Sequence, residues 1–103
     1  GFVGHPARPE PIVGTVQGEM LMQYDFTPEQ YAALIKLTRA LNRIFPKIHP
    51  VVPRDSSGRV AMNVLSTNEL SQFQGILGHY HIQREKTDPG PAFDWERLQR
   101  GLR

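Results

Sequence analysis

The sequence predicts an α/β fold of the α+β kind, and three observations carry that reading. Two short β-prone runs, Ile12–Val16 and Glu19–Tyr24, flank Gln17-Gly18, whose glycine suits the second position of a tight hairpin turn. A long amphipathic helix follows, marked by a start signal, an apolar period and a stop. Further on, Gln74 to Gly78 is a short apolar run bounded by glycines, and it reads as a buried strand. A chain of 103 residues suits one small domain or a piece of one.

Taken in order, Gly1 to Pro11 holds three prolines and two glycines in eleven positions. This composition reads as an extended arm or linker, which leaves residues 12–103 as the domain. After the expected hairpin, Thr27 is a good N-cap, Pro28 suits the first helical position, and Gln30 completes a capping box with Thr27. Phe26 and Tyr31 stand where a hydrophobic staple would join them. Tyr31, Leu34, Ile35, Thr38, Leu41 and Phe45 recur at helical spacing, and Leu37 and Ile44 widen the stripe. Pro46 cannot continue the hydrogen-bond ladder, so the helix is expected over 28–45, with a sheet as the partner of its apolar face.

His49 to Arg59 carries Pro50, Pro53 and the cluster Asp55-Ser56-Ser57-Gly58, and reads as a loop. Ser66 and Glu69 make a second capping box, which predicts a short helix over 67–73. His79 stands at the C-terminal end of the expected strand. Phe93 to Gly101 is predicted to form a last helix, with Leu98, Leu102 and Trp95 as its apolar residues.

Composition narrows the chemistry. There is no cysteine, so disulfides, thiolate zinc sites and cysteine nucleophiles are excluded, and any metal must be held by His, Asp or Glu. The formal charge of +2 comes from interspersed acidic and basic residues, which gives no case for a nucleic-acid partner. No apolar run approaches the roughly 20 residues of a membrane span, and Gly1 to Glu10 lacks the apolar centre of a signal peptide.

The segment with chemistry in it runs from Gly78 to Trp95. His79 leaves a rigid element that can aim its imidazole. Asp88 lies in a loop stiffened by Pro89 and Pro91, and Lys86 sits two residues before it. In an extended backbone those two side chains point to the same side. A neutral His and a carboxylate are zinc ligands, and a nearby ammonium can stabilise a developing oxyanion. Each residue also has an ordinary role: a hydrogen-bonded structural His, an Asp that forms a turn before proline, a surface Lys.

The run Lys86-Thr87-Asp88-Pro89-Gly90-Pro91-Ala92-Phe93-Asp94-Trp95, preceded by Gly78-His79, resembles the C-terminal signature of the type-2 N-acetylmuramoyl-L-alanine amidases. These are the AmpD-like zinc enzymes related to peptidoglycan recognition proteins. Tyr24-Asp25-Phe26-Thr27-Pro28-Glu29-Gln30-Tyr31, the helix through Phe45-Pro46-Lys47-Ile48, and Gln74-Gly75-Ile76-Leu77-Gly78-His79 are similar to the same family in the same order, so the resemblance covers most of the chain after about Gly14.

The resemblance implies the C-terminal part of a mixed sheet flanked by helices. It implies a single zinc held by two His and one Asp, with His79 and Asp88 as two of the ligands. Lys86 matches the lysine that stabilises the tetrahedral intermediate. The implied reaction is hydrolysis of the amide between N-acetylmuramic acid and L-alanine, in peptidoglycan or in muropeptides. The family works both in the cytoplasm and in the envelope, which leaves the compartment open.

Against the family pattern the loop from His79 to Asp88 is one residue shorter than in many members, Glu85 stands where Arg is frequent, and His81 stands where Asp or Asn is common. His81 is therefore a candidate second-shell or substrate-binding group, with a solvent-facing residue as the ordinary alternative. The family's first zinc His and its acidic general base have no counterpart in Gly1 to Tyr24. His5, His49, Glu10 and Glu19 are the available side chains, and none fits the pattern. The expectation is thus an incomplete active site, with the N-terminal part of the domain as a missing partner. A peptidoglycan-binding module without catalysis is the alternative, and a small interaction domain that docks through the 28–45 helix is a third.

Overall fold

The computed structural model of the chain describes residues 4–103; the first three residues of the expected arm lie outside them. Among the described residues the fold is a small mixed α+β domain built from one two-stranded antiparallel sheet and four helices. β1 (Ile12–Val16) and β2 (Glu19–Gln23) pair with Ile12 opposite Gln23 and Val16 opposite Glu19. Gln17 and Gly18 turn the chain at φ 54° and 77°. Positive φ at both central residues is what a tight hairpin needs to match the strand twist. Alternation along the strands sends Ile12, Gly14, Val16, Leu21 and Gln23 inward, while Val13, Met20 and Met22 face outward.

Helix α1 (Pro28–Ile44) has the expected cap: Thr27 Oγ1 accepts the Gln30 amide at 3.1 Å, and Gln30 Oε1 accepts the Thr27 amide at 2.9 Å. The staple is present too, with the Phe26 and Tyr31 rings edge-on at 6.0 Å. Only the N-terminal half of the apolar stripe is covered. Tyr31 and Thr38 are buried, whereas Leu37, Ile44 and Phe45 are more than half exposed. Helix α2 (Thr67–Gln72) carries its own reciprocal Ser66–Glu69 cap.

The expected strand at Gln74 to Gly78 is not a strand. Among the described residues the segment has no neighbouring strand; it is tied to residues 49–51 by His49 N–H to the Gln74 carbonyl (3.0 Å) and Ile76 N–H to the Val51 carbonyl (2.9 Å). In its place a one-turn helix, α3 (His79–Ile82), begins at Gly78. Helix α4 (Trp95–Gly101) closes the chain, capped by Asp94 Oδ1 accepting the Arg97 amide at 3.0 Å.

The core lies between the hairpin, α3 and α4. Val16, Val52, Tyr80, Trp95 and Leu98 form it, with Leu34, Ile35 and Phe93 packed on its rim. The Trp95 indole N–H donates to the Tyr80 hydroxyl at 2.5 Å, which satisfies two polar groups inside an apolar centre. Burial pushes the Tyr80 phenol up to about 12. Residues 7 and 8 lie against this body. The Ala7 amide donates to the Phe26 carbonyl at 2.9 Å, and Arg8 pairs with Asp25 at 2.8 Å.

Candidate metal site

Two side chains meet on the loop that follows α3. His79 Nδ1 lies 3.2 Å from Asp88 Oδ2, and both side chains are open to solvent. Local backbone bonds make this pairing. The Tyr80 amide donates to the Asp88 carbonyl at 3.1 Å, so the residue after His79 is fastened to Asp88 itself. The Lys86 amide donates to the Gln83 carbonyl (3.2 Å) and the Gly90 amide to the Thr87 carbonyl (2.8 Å), closing one turn before Asp88 and one around it.

Two glutamines on the hairpin hold that loop from outside. Gln17 Nε2 donates to the carbonyl of Tyr80 at 2.6 Å and lies 3.0 Å from that of Gln83 and 3.3 Å from that of Lys86. Its Oε1 accepts the Val64 amide at 2.9 Å. Gln23 does the same at the far end: Nε2 donates to the Pro89 carbonyl at 3.1 Å, and Oε1 accepts the Ala92 amide at 2.9 Å. Gly90, at φ 90°, is what lets Gln23 come so close, because a Cβ there would sit 2.3 Å from Gln23 Oε1. Neither glutamine was expected at the site. The signal available for Gln23 is its inward register beside Leu21; Gln17 lies in the turn and gives none.

A cavity of about 280 Å³ opens beside Asp88, lined by Leu21–Gln23 of β2 and by Thr87–Pro91. The hairpin therefore forms one wall and the Asp88 loop the other. Lys86 is exposed on the same loop, and among the described residues no hydrogen bond or ion pair engages its ammonium. His5, His49, Glu10 and Glu19 are exposed as well. Among the described residues no group of three or more His, Asp or Glu side chains comes together.

His81 is fully buried, so it is not the solvent-facing residue of the ordinary alternative. Two residues apart on a helix are rotated by about 200°, so α3 turns His79 outward and His81 inward. His81 Nδ1 accepts the Gly78 amide at 2.9 Å, which puts the ring proton on Nε2, and Nε2 donates to the Ala61 carbonyl at 2.6 Å. The ring also packs on Tyr80 and Trp95. Burial holds its pKa below the usual imidazole value.

The donor set fits part of a zinc site. Bonds of ordinary zinc length at a tetrahedral angle separate a nitrogen and an oxygen ligand by about 3.4 Å. The Nδ1 to Oδ2 distance of 3.2 Å is close to that. His79 and Asp88 would supply two of four positions, and the pair is open on the solvent side. No helix among the described residues is long and apolar enough to cross a membrane. Comparison of the chain with protein-family models, with curated proteins and with solved structures finds no match.

Proposed function

We propose that this chain is part of a zinc-dependent amide hydrolase of the N-acetylmuramoyl-L-alanine amidase type, acting on peptidoglycan or muropeptides. The observation that supports this most is the convergence of His79 and Asp88 at 3.2 Å, beside a cavity of about 280 Å³. Both residues come from the Gly78–Trp95 signature that resembles that family.

Zinc, when bound, supplies the Lewis acidity that polarises an amide carbonyl and activates water. The chain's own residues do the rest. His79 and Asp88 would hold the ion. The Lys86 ammonium, carried two residues before Asp88 on the same loop, offers positive charge to an oxyanion developing on the substrate. Gln17 and Gln23 keep the loop from shifting, since a catalytic group displaced by about 1 Å loses much of its effect. His81 stays in the core.

Two protein ligands hold zinc less firmly than three, so the remaining ligand and the general base are proposed to come from a preceding part of the same domain. The test is cleavage of a muropeptide at the lactyl–L-alanine amide by a chain extended to include that part. Asp88→Ala is expected to abolish it. Unchanged turnover in Asp88→Ala would remove the assignment. Retention on insoluble peptidoglycan with no release of stem peptides by the wild-type protein would instead select a binding module.

A further inference from the structure

We propose that the N-terminal arm is a strap on the cavity loop, and that Arg8 sets the end of the Thr87–Pro91 wall by capping the Ala92 carbonyl. Ala92 follows that wall directly and is fully buried. Its amide donates to Gln23 Oε1 at 2.9 Å. Its carbonyl has two neighbours, Arg8 Nη2 in close contact and the Tyr31 hydroxyl at 3.4 Å. A hydroxyl has one proton to give, and that of Tyr31 goes to Asp25 Oδ1 at 2.5 Å. Among the described residues Arg8 is therefore the donor left for a buried carbonyl, from 84 positions away in the chain.

One guanidinium serves both sides of this junction. Arg8 Nε donates to Asp25 Oδ2 at 2.8 Å, the Arg8 amide reaches the same oxygen at 3.1 Å, and Nη2 turns to Ala92. A planar fork spans two acceptors in a way that a single ammonium does not match. The Ala7 amide, bonded to the Phe26 carbonyl at 2.9 Å, seats the arm beside it. Lifting the arm takes a counter-charge from Asp25 and a donor from Ala92 together. The one Tyr31 proton cannot replace both, so the Ala92 peptide has to move toward water, because an unpaired buried carbonyl is costly. Gln23 holds Ala92 and the Pro89 carbonyl with the same side chain, which passes the movement on to the cavity wall. Whatever binds or removes residues 7 and 8 thereby acts on the loop that carries Asp88. Nothing in this depends on zinc. The sequence gives Arg8 no mark, since it lies in a segment that reads only as an arm.

The test is amide hydrogen exchange on the 103-residue chain, labelled with nitrogen-15 and carbon-13. In Arg8→Ala the Ala92 amide is expected to exchange about tenfold faster or more, while the Val64 amide and those of α1 keep their rates. The Ala92 carbonyl carbon is expected to move upfield, a shift that a general loss of stability in a folded chain does not produce. Arg8→Lys keeps the charge beside Asp25 without the fork, which guards against a variant that simply unfolds; it too should speed exchange at Ala92. An unchanged Ala92 amide in Arg8→Ala, or an equal rise at Ala92, Val64 and α1, would overturn the strap. Wild-type protection of Ala92 in Arg8→Lys would overturn it as well, since charge at Asp25 would then suffice.

Discussion

The Tyr31 hydroxyl donates to Asp25 Oδ1 at 2.5 Å and also receives the Asp94 amide at 3.0 Å. Asp25 accepts the Arg8 side chain on its other oxygen and the Phe26 amide on the first, so a carboxylate almost wholly out of water is fully bonded. Burial opposes its charge, but the hydrogen bonds from Arg8, Tyr31 and Phe26 outweigh that and hold it at about 2. A folded value below the ordinary 3.8 means that the unfolded chain binds the proton more readily. The resulting stability, about 2 kcal/mol, is present above pH 4 or so and is lost as pH falls toward 2. Urea titrations across that range should show it, and the slope should shrink in Asp25→Asn, with Asp55 and Glu69, whose pKa values are also lowered, supplying what remains.

Tyr31→Phe removes a hydrogen bond to a charged group and leaves both the carboxylate and the Asp94 amide short of a partner. A loss of about 2–3 kcal/mol is expected. Arg8→Ala should cost less, because its side chain is partly exposed, but it should free residues 7 and 8 from the body. Limited proteolysis of that segment distinguishes the two variants.

His81 gives a second pH dependence with its own window. Its folded pKa lies below the unfolded 6.5, chiefly through burial. Stability is therefore complete above about pH 6.5 and declines as pH falls below it, by at most about 1.4 kcal/mol per pH unit. Protonation would set a ring N–H against the Gly78 N–H, which is why the core resists it. Thermal melts between pH 5 and 8 should show a step that is absent in His81→Phe, whatever that variant's overall stability.

Gly90→Ala meets two obstacles, the positive φ and the Gln23 amide. A cost of about 1–3 kcal/mol is expected. Pairing it with Gln23→Ala should relieve the steric part and leave the backbone part, so the double variant should be less unstable than the sum of the singles. Strict additivity in a double-mutant cycle would show that the two residues do not press on each other.

On the proposed amidase reading, Lys86→Met in the zinc-loaded, extended protein should lower kcat by about 100-fold or more while substrate affinity changes little. A rise in KM with kcat unchanged would place Lys86 in ground-state binding instead.

The features legible in the sequence are those written by neighbours in the chain. Thr27 with Gln30, Ser66 with Glu69 and Gln17 with Gly18 each fix a local geometry within four residues, and each formed as expected. The Gln74–Gly78 run is not legible in this way, because a short apolar stretch between glycines has the same pattern whether it pairs with a strand or merely crosses a core. At Gly75 a Cβ would meet the Val51 carbonyl at 2.5 Å, so the glycine lets this run pass close to residues 49–51. Helix α3 has a glycine for its N-cap residue, so nothing announced it, and without that helix the opposite facing of His79 and His81 could not be foreseen. The proximity of His79 and Asp88 depends on turns read correctly only in part, and the glutamines that hold it depend on contacts more than sixty residues apart in the chain.

Gln17 combines two properties seldom found in one residue. Its backbone holds the hairpin turn at positive φ, while its side-chain amide reaches Val64 and three carbonyls around the His79 loop. Opening of the turn and of the loop is therefore coupled, because one residue serves both. Amide hydrogen exchange should reveal this as a single opening event. The Val64 amide, bonded only to that side chain among the described groups, is its natural reporter. Were the hairpin to fray on its own, Val64 would keep its protection while the strand amides lost theirs; in this fold they should exchange together.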